Sequence, residues 1–387
     1  MTVLQLGPGA AIPHQYLTRH VGIFGATGTG KTTTLGAIAE RCPCPVLILD
    51  AKGDLESLGS KPIAPRMRID EMGAELIARA LDLSPAQAGA LSIALAWAED
   101  SGRSVATLQD LRQLLNEAVR VDLSDRYGLM SPVSVSAVQR AMLALERGAP
   151  WVFQSGGPDP RDTKGIAVYA ASHLTHMPGL YGAFVAYTLE RLYRGLGELG
   201  DVPTPGLMVM IDEAHLLFDG AAPAIVQRIE QITRLIRSKG VGLIYVTQSP
   251  SDLPPHVSGQ LATRVQHALR GSTPLHQKAL KAAAETMPGS VTAADIAGLA
   301  TGHALVSVPG RNGAPLPAKA VKVTRGRQAL HSVGVELPAI PRPVEVRTES
   351  PSCETVATPT RWEQLRAAWY FWPAVIASGL YALALLT

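Results

Sequence analysis

Short unbroken apolar runs of strand length recur along the chain at Val46-Leu47-Ile48-Leu49, Ile166 to Ala170, Leu207 to Ile211 and Val241 to Val246. Runs this short, bounded by turn residues, predict buried β-strands. Between them the apolar residues change to helical spacing, at Thr33 to Ala39, Leu180 to Leu196 and Ile225 to Arg237. Such alternation predicts an α/β fold with a mostly parallel sheet and helices on both faces.

The stretch from Ile69 to Gly148 breaks that rhythm. Leu108, Leu111, Leu114, Leu115 and Val119 fall on one helical face, with Thr107 and Asp110 spaced as a capping box. We read an α-helical insertion over 69–150, between a first core part at 1–68 and a second at 151–330. Past Ser332 periodicity stops, and Pro338, Pro341, Pro343, Pro351 and Pro359 predict a linker over 331–366.

Residues 367–387 carry no charge and place Trp369, Tyr370, Phe371 and Trp372 before Pro373 and a mostly apolar run. About 20 residues at about 1.5 Å each cover a hydrocarbon core of about 30 Å. With Arg361 and Arg366 ahead of this segment, the positive-inside rule keeps the preceding domain in the cytoplasm, tethered to the inner face of the membrane. The alternative is a C-terminal apolar helix packed on the domain or on a partner subunit, as the alanines and Pro373 allow.

Composition narrows the picture. The chain has 387 residues and 47% hydrophobic content, enough for one large domain or two, and it is not a disordered protein. Three cysteines, two of them in Cys42-Pro43-Cys44, suit neither a zinc knuckle nor a local disulfide and fit a reducing compartment. Met1 to Ala11 lacks the features of a signal peptide. The formal charge of +3 announces no nucleic-acid partner by itself. However, Arg264, Arg270, Lys278 and Lys281 fall in one stretch without a carboxylate, and Arg311, Lys319, Lys322, Arg325 and Arg327 in another. These are a candidate footprint for a polyanion.

The chemistry begins at Gly25-Ala26-Thr27-Gly28-Thr29-Gly30-Lys31-Thr32, which reads G-x-x-x-x-G-K-T between the apolar pair Ile23-Phe24 and a helix. The glycines let successive N–H groups, through Thr33, curl around ATP phosphates. Lys31 reaches the β- and γ-phosphates and Thr32 offers a hydroxyl to Mg²⁺. A second strand ends on Asp50, at the sheet edge where ligands sit, and we expect this carboxylate beside the metal. A third delivers Asp212 and Glu213: Asp212 to hold Mg²⁺, Glu213 to accept the proton of the attacking water. Gln248 ends the next strand, where a carboxamide can contact the lytic water and the γ-phosphate. Arg234 and Arg237, three apart on the intervening helix, either reach a neighbouring subunit's γ-phosphate or pair on the surface with Glu230 or Asp201.

Together these stretches resemble the HerA/FtsK group of ring-forming DNA-translocating ATPases, most closely its bacterial HerA-like branch, the YjgR family. The resemblance also rests on Asp50-Ala51-Lys52-Gly53-Asp54-Leu55, on Ile211 to Phe218, on Arg234 to Gly242, on Val246-Thr247-Gln248 and on Thr263 to Arg270. It covers roughly residues 10 to 330. It implies a RecA-like P-loop fold of the additional-strand, catalytic-glutamate type, and a homo-oligomer, a hexameric ring passing double-stranded DNA through its channel. By the same resemblance Lys31 and Thr32 bind triphosphate and Mg²⁺, Asp212 and Glu213 are the metal and water-activating carboxylates, Gln248 is the sensor, and Arg234 or Arg237 is the finger in trans. The chain departs from the HerA proteins in carrying no barrel domain ahead of Gly25 and in its apolar C-terminal segment.

Two functions follow. The first is a DNA motor driven by ATP hydrolysis. The second is a DNA-independent ATP-gated switch or assembly ATPase acting on a protein partner, with the membrane as one setting. A small-molecule kinase is disfavoured, because Glu213 and Gln248 suit attack by water.

Overall fold

A computed structural model describes residues 3–327, apart from 155, 156, 272 and 311. An antiparallel ribbon, β1 (Val3–Gly7) and β2 (Ala10–Pro13), leads into β3 (Val21–Phe24), α1 (Lys31–Arg41) and β4 (Val46–Asp50). Then come α2 (Ile69–Ala80), α3 (Pro85–Asp100), α4 (Leu108–Ala118), α5 (Ser124–Tyr127) and α6 (Pro132–Gly148). The α/β rhythm resumes with β5 (Ile166–Ala170), α7 (Pro178–Gly195), β6 (Leu207–Ile211), α8 (His215–Phe218), α9 (Pro223–Leu235) and β7 (Val241–Thr247). The described part ends through α10 (Pro255–Ser258), β8 (Thr263–Gln266), α11 (Pro274–Thr286), α12 (Ala293–Ala297), β9 (His303–Ser307) and β10 (Lys319–Lys322).

The eight-stranded sheet has the order β10-β9-β8-β3-β7-β6-β4-β5. From β8 to β5 every pairing is parallel, while β9 and β10 close one edge antiparallel. Strand β7 lies between β3 and β6, so one added strand separates the phosphate-loop strand from the acidic one. The fold is the mixed, mostly parallel α/β class that the apolar runs predict. The ribbon and strands β8 to β10 do not follow from that pattern.

Alternate residues of each buried strand feed opposite faces. Leu47, Leu49, Val209, Ile211, Leu243 and Tyr245 join a core with α2 to α4, α6, α7 and α9. Val46, Ile48, Met208, Met210, Ile244 and Val246 join another with Leu35 and Ile38 of α1 and with the ribbon. Helices α2 to α4 and α6, which lie between β4 and β5, therefore share one core with a face of the sheet. Thr107 and Asp110 close the capping box on α4, and Leu108, Leu111, Leu114 and Leu115 are buried; Val119 falls at the helix end and is exposed.

Among the described residues no helix is long and apolar enough to cross a membrane. The expected linker and the apolar segment over 367–387 lie outside the described residues, as does Arg311.

Candidate nucleotide-binding site

Because β3, β4, β6 and β7 run parallel, their carboxyl ends deliver Gly25, Asp50, Asp212 and Gln248 to one edge of the sheet. Backbone bonds tie these ends together. Gly25 N–H donates to Gln248 O at 3.0 Å, Ala26 N–H to Ala268 O at 2.9 Å and Ala214 N–H to Val246 O at 2.8 Å.

The loop after β3 owes its shape to glycine. Gly25, Gly28 and Gly30 have φ of 149°, 75° and 118°, a region that side chains disfavour. A Cβ at Gly25 would also stand 2.6 Å from His267 Cβ. Thr27 and Gly28 are exposed at the loop tip, while Thr29 turns its hydroxyl back to Ala26 O at 2.6 Å. Lys31 is buried, and its ammonium donates to Gly25 O at 2.6 Å and Ala26 O at 3.2 Å. Burial, then the Lys52 charge, hold Lys31 below its ordinary value, opposed by Glu213, Asp212 and Asp252. Thr32 and Thr33 are half-buried on the first turn of α1.

Under the loop sits His267, which follows β8. Its Nδ1 lies 2.9 Å from His303 O and its Nε2 2.9 Å from the Thr34 hydroxyl. A carbonyl only accepts, so Nδ1 carries the proton and Nε2 receives the threonine's. Burial pushes this imidazole down to about 4, keeping it neutral.

The acidic side is built from charges. Asp212 is buried, and burial first, with Glu213 and Asp50 adding to it against Lys52, raises its carboxyl to about 7. The fully buried Tyr181 of α7 donates to Asp212 O at 2.6 Å. Glu213 has a φ of 44°, unusual for a side chain of this size. Lys52 forms an ion pair with its Oε1, and His215 Nδ1 lies 3.2 Å from its Oε2. Burial pushes Glu213 up, but His215 and Lys52 outweigh it and bring the carboxylate to about 2. His215 in turn is raised by Glu213.

Asp50, fully buried, gives both oxygens to its own loop. Oδ1 accepts from Lys52 N–H at 3.1 Å and Gly53 N–H at 2.8 Å, and Oδ2 from Leu55 N–H at 2.8 Å. Gln248 is exposed and lines a cavity of about 630 Å³ with Ala26, His215, Asp252, Arg270 and Lys278. Arg234 and Arg237 lie where α9 runs into β7, towards the amino ends of the parallel strands and so away from the loop. Arg237 pairs with Asp201; Arg234 is exposed and makes no ion pair among the described residues. Lys52, His215 and His267 complete the site although the motifs alone assign them no role. The signal for them was position: each lies within four residues of a strand's carboxyl end.

No curated protein matches this chain. Among solved structures, it is similar to the plasmid coupling protein TrwB in complex with a non-hydrolysable ATP analogue, with 17% identity, a TM-score of 0.60 and coverage of 86% of this chain and 93% of that one. It is similar also to the unbound form of the conjugative coupling protein, at 16% identity and a TM-score of 0.58 over 87% and 91% of the two chains. VirB4 of Thermoanaerobacter pseudethanolicus matches at 16% identity and a TM-score of 0.57, over 80% and 90%. At these identities the likeness is one of fold. The family model for the Helicase HerA-like C-terminal region matches residues 5–65 and 56–339, most of the chain, which therefore belongs to the HerA-like family of P-loop ATPases.

Proposed function

We propose that this chain is a ring motor of the HerA/FtsK type that hydrolyses ATP and translocates or remodels double-stranded DNA. The observation that carries the reading is the order along one sheet edge: phosphate loop on β3, Gln248 on the intervening β7, Asp212-Glu213 on β6.

In this reading the N–H groups of residues 25–33 cradle the triphosphate, and Lys31 leaves the carbonyls of Gly25 and Ala26 for the β- and γ-phosphates. Thr32 and Asp212 supply a hydroxyl and a carboxylate, hard oxygen donors that suit Mg²⁺. Among the described residues no group of three or more His, Cys, Asp or Glu is placed to hold a metal. Mg²⁺ held by Thr32 and Asp212 would offset the phosphate charge. Asp50, whose oxygens accept from the amides of Lys52, Gly53 and Leu55, we assign to bracing the Lys52 loop rather than to the metal.

Glu213 accepts the proton of the attacking water, and Gln248 orients that water. A carboxylate near 2 is ionised but a weak base, so Glu213 must first part from Lys52; the γ-phosphate offers Lys52 another anion. Arg234 is the better candidate for action in trans, because Arg237 is already paired with Asp201. Duplex binding is supported by the exposure of Arg270, Lys278, Lys281, Lys319, Lys322, Arg325 and Arg327. Arg264 leaves that footprint: it is half-buried and donates to Ser258 O at 2.7 Å.

The test is steady-state ATPase activity with and without duplex DNA at two salt concentrations. Strong stimulation that weakens with salt is expected. Hydrolysis indifferent to DNA would replace the motor with an ATP-gated switch acting on a protein partner.

A further inference from the structure

Arg79, in the last turn of α2, is the one strongly buried arginine among the described residues, and it has no carboxylate partner there. Its Nη2 instead donates to three carbonyls across the core: Leu216 O at 3.0 Å, Leu217 O at 2.7 Å and, more weakly, Asp219 O at 3.4 Å. These belong to the single turn of α8 and the residue that closes it. A one-turn helix cannot satisfy its own last carbonyls, and a guanidinium placed over them does so.

The path to those carbonyls crosses α7, and the sequence of α7 leaves it open. A Cβ at Gly179 would stand 2.6 Å from Arg79 O, and one at Gly182 would stand 2.3 Å from Arg79 Nη2. Neither glycine has a positive φ, so backbone conformation does not call for glycine at either place. Glycine also weakens a helix interior relative to alanine. One turn apart, the two glycines make a slot through which the insertion's arginine reaches α8.

Helix α8 begins at His215, whose Nδ1 meets Glu213, and Leu216 N–H donates to Glu213 O at 2.9 Å. Arg79 Nε and Nη1 are buried without partners, a cost that stability alone would remove by an apolar side chain. We propose that Arg79 is a positioning residue, a strut by which the helical insertion fixes α8 and hence the placement of His215 and Glu213 for hydrolysis. The inference rests on Glu213 being the base, but the contact itself can be tested separately.

The experiment compares the full chain with Arg79→Met, which keeps bulk and removes the donors, and Gly182→Ala, which displaces the guanidinium from the side of α7. Both are followed by hydrogen–deuterium exchange and by steady-state kinetics. Amides of residues 214–219 are expected to exchange at least about tenfold faster, with α1 unchanged, and kcat to fall about tenfold while KM for ATP stays within about threefold. Arg79→Lys, which restores a donor, should recover part of both. Exchange over 214–219 within twofold of the parent in both variants would overturn the strut. So would faster exchange with unaltered kcat. A parent chain that hydrolyses no ATP would instead sink the reading of Glu213, with the exchange comparison still deciding the contact.

Discussion

On the β3 side of the sheet edge the site is held by backbone and packing; on the β6 side it is held by charges. The phosphate loop takes its form from three glycines with positive φ, from the Gly25–Gln248 and Ala26–Ala268 backbone bonds, and from a neutral histidine beneath it. None of these needs a counter-ion. Glu213, by contrast, is fixed by Lys52 and His215, with Asp212 buried beside them. Backbone contacts have one arrangement, whereas an ion pair can exchange partners when a phosphate arrives. On the proposed reading, the difference gives binding to the first side and the change of state to the second.

The largest effect should separate the two sides directly. Glu213→Gln keeps shape and removes the proposed base, so hydrolysis should fall by about 10²–10⁴ with ATP affinity retained. Lys31→Ala should lose affinity and turnover together. Equilibrium binding of a fluorescent ATP analogue beside single-turnover hydrolysis distinguishes them; loss of binding in Glu213→Gln would erase the contrast.

A smaller effect is expected at Gly25. Alanine there meets both a disfavoured φ and His267 Cβ, and should cost about 1–3 kcal/mol of stability. Because the strain is steric, the loss should be the same in low and high salt by urea unfolding. A loss that shrinks with salt would mean that charges hold this side too.

Much of this edge was legible in the sequence because its determinants are local. The phosphate loop is eight consecutive residues, the apolar runs at Val46, Leu207 and Val241 end on polar residues, and the Thr107–Asp110 box needs one turn of helix. What stayed hidden depends on distant parts of the chain. Strands β8 to β10 are four or five residues long and gain their identity from pairing with β3 and with one another. Asp50 has the right residue type at the right strand end, but only the turn after it reveals that Lys52, Gly53 and Leu55 already use its oxygens. Arg79 lies 137 residues from Leu216, and its role depends on two glycines of a third segment.

The smallest predicted effect tests whether the histidine under the loop is neutral. Burial lowers His267 from 6.5 to about 4, so between those values the unfolded chain binds a proton that the folded one refuses. Its contribution is present above pH 6.5 and is lost as pH falls towards 4, at up to about 1.4 kcal/mol per pH unit. His20, held by Thr233 O and Leu243 N–H and likewise lowered by burial to about 4, acts with the same sign in the same window. Asp212 opposes both. Raised by burial from 3.8 to about 7, it binds more proton when folded, so stability at this position grows as pH falls through that range. The pH profile of the wild type therefore mixes cancelling contributions and decides nothing. A difference does decide. His267→Gln retains a donor for His303 O and an acceptor for Thr34 and cannot titrate, while His20 and Asp212 cancel between the two proteins. Urea unfolding of both at pH 7, 6 and 5 should show the wild type losing its advantage by about 1 kcal/mol per unit below pH 6.5. An advantage independent of pH would mean that the folded and unfolded chains bind this proton alike, so that burial does not keep the imidazole under the loop neutral.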